Sequence, residues 1–98
     1  MIFERGAIYE RGDRPGRRVV ILSTGEIVPG RVLVVPLIAS LEFANSAPRS
    51  LQVMTPEPAW ISPGHVTAFP TNGLGDHLGQ AEAGPVEVCR VILSAKLA

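Results

Sequence analysis

Ninety-eight residues carry nine Lys or Arg against nine Asp or Glu, a formal net charge of zero that excludes a protein coated in nucleic acid over its whole surface. Hydrophobic residues make up 46% and charged residues 18%, the composition of a folded globule and not of a disordered segment. The length suits one domain over residues 1–98, and no apolar run reaches the ~18–20 residues of a membrane-spanning helix.

Met1-Ile2-Phe3-Glu4-Arg5-Gly6 lacks the apolar core of a signal peptide, so the expected location is the cytoplasm, without membrane contact. Ala7-Ile8-Tyr9-Glu10 reads as a first strand punctuated by Gly6 and Gly12. A glycine/proline loop, Gly12-Asp13-Arg14-Pro15-Gly16, leads into the continuous β-branched run of a second strand, Val19 to Ser23. Arg11, Arg14, Arg17 and Arg18 crowd this loop against Asp13 alone. A solvated hairpin is the plain reading of such a cluster. The sharper one is a phosphate-binding mouth, because the planar guanidinium fork matches phosphate geometry.

Thr24 to Gly30 is a turn-rich connection. Arg31 to Ile38 reads as a third strand whose unbroken apolar character requires cover on both faces, and Pro36 marks an end, an edge or a bulge within it. Proline and serine thicken from Ala47 to Pro58 around a fourth strand, Leu51 to Met54. Ala59 to Ser62 and Val66 to Pro70 form two short segments about the turn Ser62-Pro63-Gly64, and Thr71 to Gly75 reads as a loop. Pro85 suits a first helical position, and Val88, Cys89, Ile92, Leu93 and Lys96 follow along one face, with a strand as the rival reading because of the β-branched content. The pattern predicts a mainly β fold with a C-terminal helix, a small twisted barrel or half-barrel.

Isolated residues carry less. His65, His77, Asp76 and Cys89 match no zinc spacing, and neither a metal nor a cofactor is expected. His65, beside the turn, is a candidate proton-transfer group if its loop folds toward Arg18. Cys89, the single cysteine, cannot form an internal disulfide and reads as a small core residue. Trp60, flanked by apolar neighbours, reads as core or interface, and Gly73-Leu74-Gly75 is too short for a dinucleotide fingerprint.

Arg5-Gly6-Ala7-Ile8-Tyr9 resembles the R-G-D/E-I/V-Y/W opening of the MazF/PemK-like toxins, and Gly16 to Ser23 resembles their G-x-R-P-V-V-V-S loop and strand. Val34 to Ser40 is similar to their V-V-P-I-T-S-x segment, and the two late strands and the apolar C-terminal segment follow in the family's order. The resemblance implies an SH3-like β-barrel homodimer of the MazF/PemK/CcdB type, held inactive by a cognate antitoxin. The implied activity is metal-independent cleavage of single-stranded RNA by attack of the ribose 2′-oxygen on the adjacent phosphate, with growth inhibition as its result. Arg18 takes the position of the family's catalytic arginine, with Arg14, Arg17 and His65 as substrate-binding companions. Ile38 stands where the family has its catalytic threonine, which makes Ser40, two residues on, the substitute candidate. Val19 replaces a consensus proline, and the first loop is shorter than is usual in the family. Two further readings remain: a non-enzymatic barrel of the same fold that binds a protein partner, in the manner of CcdB-type gyrase inhibitors or as a decayed copy, and a plain RNA- or peptide-binding module. The endoribonuclease reading stands first because the arginine loop is intact.

Overall fold

The computed structural model describes residues 3–47, 49–54 and 57–97. Its strands are β1 (Ala7–Arg11), β2 (Arg18–Ile21), β3 (Arg31–Leu37), β4 (Leu51–Val53), β5 (Ala59–Ile61), β6 (Thr67–Pro70) and β7 (Leu74–Gln80), with helices α1 (Leu41–Ser46) and α2 (Ala83–Leu97). The arginine loop is the turn of the β1–β2 hairpin, paired Ile8↔Val20, Tyr9↔Val19 and Glu10↔Arg18. Arg11 N donates to Arg17 O at 2.8 Å and closes it. Gly16, at φ +85°, supplies the left-handed backbone that the last corner of the loop needs.

β3 lies between β2 and β6 in an antiparallel five-stranded sheet of order β6-β3-β2-β1-β7. Pro36 is tolerated inside this central strand for a geometric reason. Leu22 N donates to Leu33 O, so by alternation Leu33 and Val35 turn their backbone groups to β2 and Pro36 turns its nitrogen to the other side. There the last β6 pair is Val34↔Thr67, so Pro36 lies beyond the ladder and no bond is lost. Beyond Leu37 the chain changes partner: Ile38 exchanges both backbone hydrogen bonds with Trp60 of β5, at 3.0 and 2.9 Å. This joins the large sheet to the β4–β5 ribbon.

Alternation sends β2 and β3 side chains to two separate cores. Ile8, Val20, Val35 and Leu37 pack under the ribbon and α2, with Val53, Ile61, Val86 and Cys89. Val19, Ile21, Val32 and Val34 pack on the opposite face with Phe3 and Phe69. Both faces of β3 are therefore covered, as its unbroken apolar run requires. Fully burying an aliphatic side chain of this kind contributes about 1.5–3 kcal/mol, and Ile8, Val20 and Val35 are completely enclosed.

The mainly antiparallel β architecture with a C-terminal helix follows the sequence reading. Closure of the sheet into a barrel is not found among the described residues: β6 and β7 are its two edges. Two elements were not foreseen. The stretch Leu41–Ser46 is helical, and the expected loop at Thr71 to Gly75 is a 3-10 turn (Thr71–Gly73) that runs straight into β7. β7 carries no β-branched residue, and it can approach β1 because of its glycines. A Cβ on Gly75 would lie 3.1 Å from Glu10 O, and one on Gly12 3.0 Å from Gly73 O. Helix α2 starts at Ala83, so Pro85 is inside its first turn, where the missing N–H costs little. Its core face is Val86, Cys89 and Leu93, at i, i+3 and i+7. Val88, expected on that face, is 46% exposed, and the side chain of Lys96 lies outside the described residues.

Candidate nucleic-acid interface

The arginine loop overhangs the end of the sheet and encloses a cleft of about 560 Å³. Its floor is apolar: Val19 and Pro36 pair across β2 and β3, and Val34 lies beside them. Its rim is cationic. Of the fourteen lining residues four are arginines (Arg11, Arg14, Arg17 and Arg18) and none is Asp or Glu. An apolar floor under a cationic rim, with Arg14 and Arg17 free of ion pairs among the described residues, favours an anion in the cleft.

The four arginines differ in how they are held. Arg18, the first residue of β2, is the most enclosed of those with a partner, at 17% side-chain exposure, and its Nη1 donates to Glu57 Oε1 at 2.9 Å. Glu57 reaches in from the ribbon side and is itself 62% exposed. Arg11 pairs within its own loop: its Nε and Nη2 donate to the two carboxylate oxygens of Asp13, at 3.0 and 2.8 Å. Those hydrogen bonds hold the Asp13 carboxyl below its ordinary range, with the nearby Arg11 and Arg14 charges adding to the effect. Asp13 is thus taken up by Arg11, and the partner of Arg18 is Glu57. Arg14 and Arg17 are exposed and make no ion pair among the described residues.

Opposite the loop stand His65 and Thr67. His65 ends a 3-10 turn, Pro63–His65, whose cap Ser62 accepts from Gly64 N through its hydroxyl at 3.3 Å. The imidazole packs against the ring of Phe43 on α1, with centroids 5.2 Å apart. The unforeseen helix α1 therefore buttresses a residue of the cleft.

Arg14, Arg17, Arg18 and His65, named from the sequence, are brought together here. Ser40 is not. It is the N-cap of α1, and its hydroxyl accepts from Phe43 N at 3.4 Å. No bulge draws it back, because β3 ends at Leu37 and Ile38 is engaged with Trp60. Ile38 and Ala39 line the cleft and offer no side-chain hydrogen bond. Of the other lining residues, Thr67 escaped the sequence reading, and Arg11 entered it only as a member of the arginine cluster. Thr67 is an exposed hydroxyl on β6, directly across from Val34. Arg11 ends β1 beside the loop, and its Cζ lies 5.1 Å from the centroid of the Phe69 ring. The register that brings β6 against β3 is a tertiary property, and no local pattern around Thr67 announces it.

The remaining candidates lie elsewhere. His77, on β7, stacks on Tyr9 with centroids 5.0 Å apart, and its Nε2 is 2.9 Å from Gly79 O. Cys89 is completely enclosed in the core, and burial pushes its thiol up from 9.0 to about 11. Trp60 is half-buried. Among the described residues no group of three or more His, Cys, Asp and Glu side chains converges, and no helix is long and apolar enough to cross a membrane. Comparison with protein-family models and with curated proteins returns no match to the chain.

Proposed function

We propose that the cleft binds the phosphodiester backbone of single-stranded RNA and that the protein is a metal-independent endoribonuclease, the toxin of a toxin–antitoxin pair with an SH3-like fold. The observation that carries this reading is the lining of the cleft: four arginines and a histidine over an apolar floor, with no carboxylate among them. Such a site attracts phosphate and offers no ligand set for a divalent ion.

In the proposed reaction the ribose 2′-oxygen attacks the adjacent phosphorus and the 5′-oxygen departs. The products are a 2′,3′-cyclic phosphate and a 5′-hydroxyl end. Arg18 neutralises charge building on the non-bridging oxygens. His65 moves a proton at one of the two ribose oxygens, and solvent serves the other. Thr67 supplies the neutral hydroxyl that Ile38 and Ser40 do not. Arg14 and Arg17, free of ion pairs among the described residues, grip the flanking phosphates. The cognate antitoxin would present an acidic segment to the same arginines. A homodimer would form on the outer face of α2, where Gly84, Val88, Val91 and Ala95 make an exposed stripe of small and apolar residues.

One observation favours a second reading, a partner-binding protein without catalysis: the threonine position is filled by an isoleucine that is occupied in a β-bridge. Induction in a growing cell separates the two. The endoribonuclease arrests growth and leaves RNA fragments with 5′-hydroxyl ends, and Arg18→Ala removes both effects, lowering cleavage by about 10²-fold or more without unfolding. Arrest with intact RNA establishes the partner-binding reading, and undiminished cleavage by Arg18→Ala overturns the role of Arg18.

A further inference from the structure

We propose that Arg11 and Phe69 form a nucleobase-stacking subsite within the cleft, distinct from the phosphate grips; this inference rests on the cleft being a single-stranded RNA site. Arg11 is unlike its three neighbours. Its charge is matched in place by both Asp13 oxygens, at 3.0 and 2.8 Å, and its Cζ lies over the Phe69 ring at 5.1 Å. Phe69 is 8% exposed, packed with Val32 and Val34 on the face of the sheet opposite the ribbon and α2, so it anchors the guanidinium and has little surface of its own to offer. Arg11 nevertheless lines the cleft and is about a third exposed.

The combination has a chemical meaning. A carboxylate that binds one edge of a guanidinium through both its oxygens fixes the plane and occupies the Nε and Nη2 donors that would otherwise take a phosphate fork side-on. An aromatic ring on one side leaves the other side for a ligand. A flat, delocalised, locally neutralised surface is a poor phosphate site and a good stacking surface, since base π-faces stack on arginine planes as on aromatic rings. Arg14 and Arg17 have no such clamp among the described residues, and Arg18 has a single contact to an exposed Glu57. The cleft thus divides its arginines into three that follow the backbone and one that receives a base. Stacking is tolerant of base identity, so the subsite contributes affinity and register more than a sequence code.

The test uses a short single-stranded RNA made uncleavable by 2′-O-methyl groups, and the same oligonucleotide with an abasic unit placed at each position in turn. Binding is read by fluorescence anisotropy. The wild-type protein should lose about tenfold in affinity at one abasic position and little at the others. A 2-aminopurine at that position should be quenched on binding. Arg11→Lys keeps the charge and loses the plane; it should weaken the intact oligonucleotide by the same factor and become indifferent to that abasic unit, with its salt dependence unchanged. Equal affinity for all abasic oligonucleotides overturns the subsite while leaving RNA binding by the cleft in place. So does a fall of about one in the salt slope for Arg11→Gln without any abasic effect, which marks Arg11 as a phosphate grip. Failure of the wild-type protein to bind the intact oligonucleotide overturns the RNA reading itself and the subsite with it. The abasic scan and the 2-aminopurine signal need no variant, so they decide the matter even if Arg11→Lys does not fold.

Discussion

Arg18 has a partner that its own loop does not supply. Glu57 comes from a point 39 residues away, and the pair it forms is partly open to solvent. An exposed ion pair of this kind contributes roughly 0–1 kcal/mol, so a phosphate can displace it. Glu57→Gln should therefore leave the thermal midpoint nearly unchanged and raise affinity for single-stranded RNA by up to about fivefold, most visibly at low salt. Anisotropy titrations of the two proteins at two ionic strengths check this. Weaker binding by the variant would mean that Glu57 aims Arg18 and does not compete with the ligand. The arginine itself was legible from its position before a β-branched run; Glu57 was not, because its reach depends on how the ribbon docks against the sheet.

At the scale of elements, the reassignment of Ser40 has the clearest consequence. A six-residue helix cannot stand on propensity, and α1 has no buried residue of its own. It is held by its Ser40 cap and by the contact of Phe43 with His65. Ser40→Ala should cost about 0.5–2 kcal/mol of stability, readable in a denaturant titration, and should change RNA cleavage by less than about threefold. A hundredfold fall in cleavage with an unchanged midpoint would return Ser40 to the chemistry. The strands β1, β2 and β3 were readable because alternation and β-branching are local signals. β7 was not. Its sequence is polar and glycine-containing, and its extended form is imposed by pairing with β1, with two register shifts along the way. For α2 the helix was legible and its inward face only in part: Cys89 and Leu93 pack on the core as expected, whereas Val88 is exposed and contact with β4 and the turn Pro63–His65 selects Val86 in its place.

Considered as a whole molecule, two consequences follow from a core that encloses a thiol and a helix that exposes valines. The Cys89 thiol is raised by burial from 9.0 to about 11. The folded state keeps that proton where the unfolded chain releases it, so unfolding is favoured as pH rises from 9 toward 11. The thermal midpoint should fall across that window, and the fall should be shallower in Cys89→Ala, whose midpoint at neutral pH is lower because of the cavity left behind. Equal slopes in the two proteins would mean that Cys89 does not titrate in this range. The outer stripe of α2 makes the second prediction. Sedimentation should show a dimer at micromolar concentration, and Val88→Glu with Val91→Glu should give a folded monomer. A wild-type monomer at every concentration would remove the dimer from the proposal.

Local chemistry was enough for part of this protein. Glycine and proline placed the β1–β2 turn, β-branching marked β2 and β3, and the arginine cluster marked the mouth, because each depends on residues a few positions apart. The tertiary structure alone decided which groups share the cleft. Thr67 and His65 arrive from beyond the ribbon, Glu57 crosses to Arg18, and Phe69 rises beneath Arg11 because β6 pairs with β3 in one register. It also decided that Ser40 would be a cap: once Ile38 joins Trp60, the chain leaves the sheet before the serine can turn toward the arginines. Side-chain convergence is set by long-range strand pairing, and that pairing is selected by burial of both faces of β3, a property of the assembled sheet and not of any segment within it.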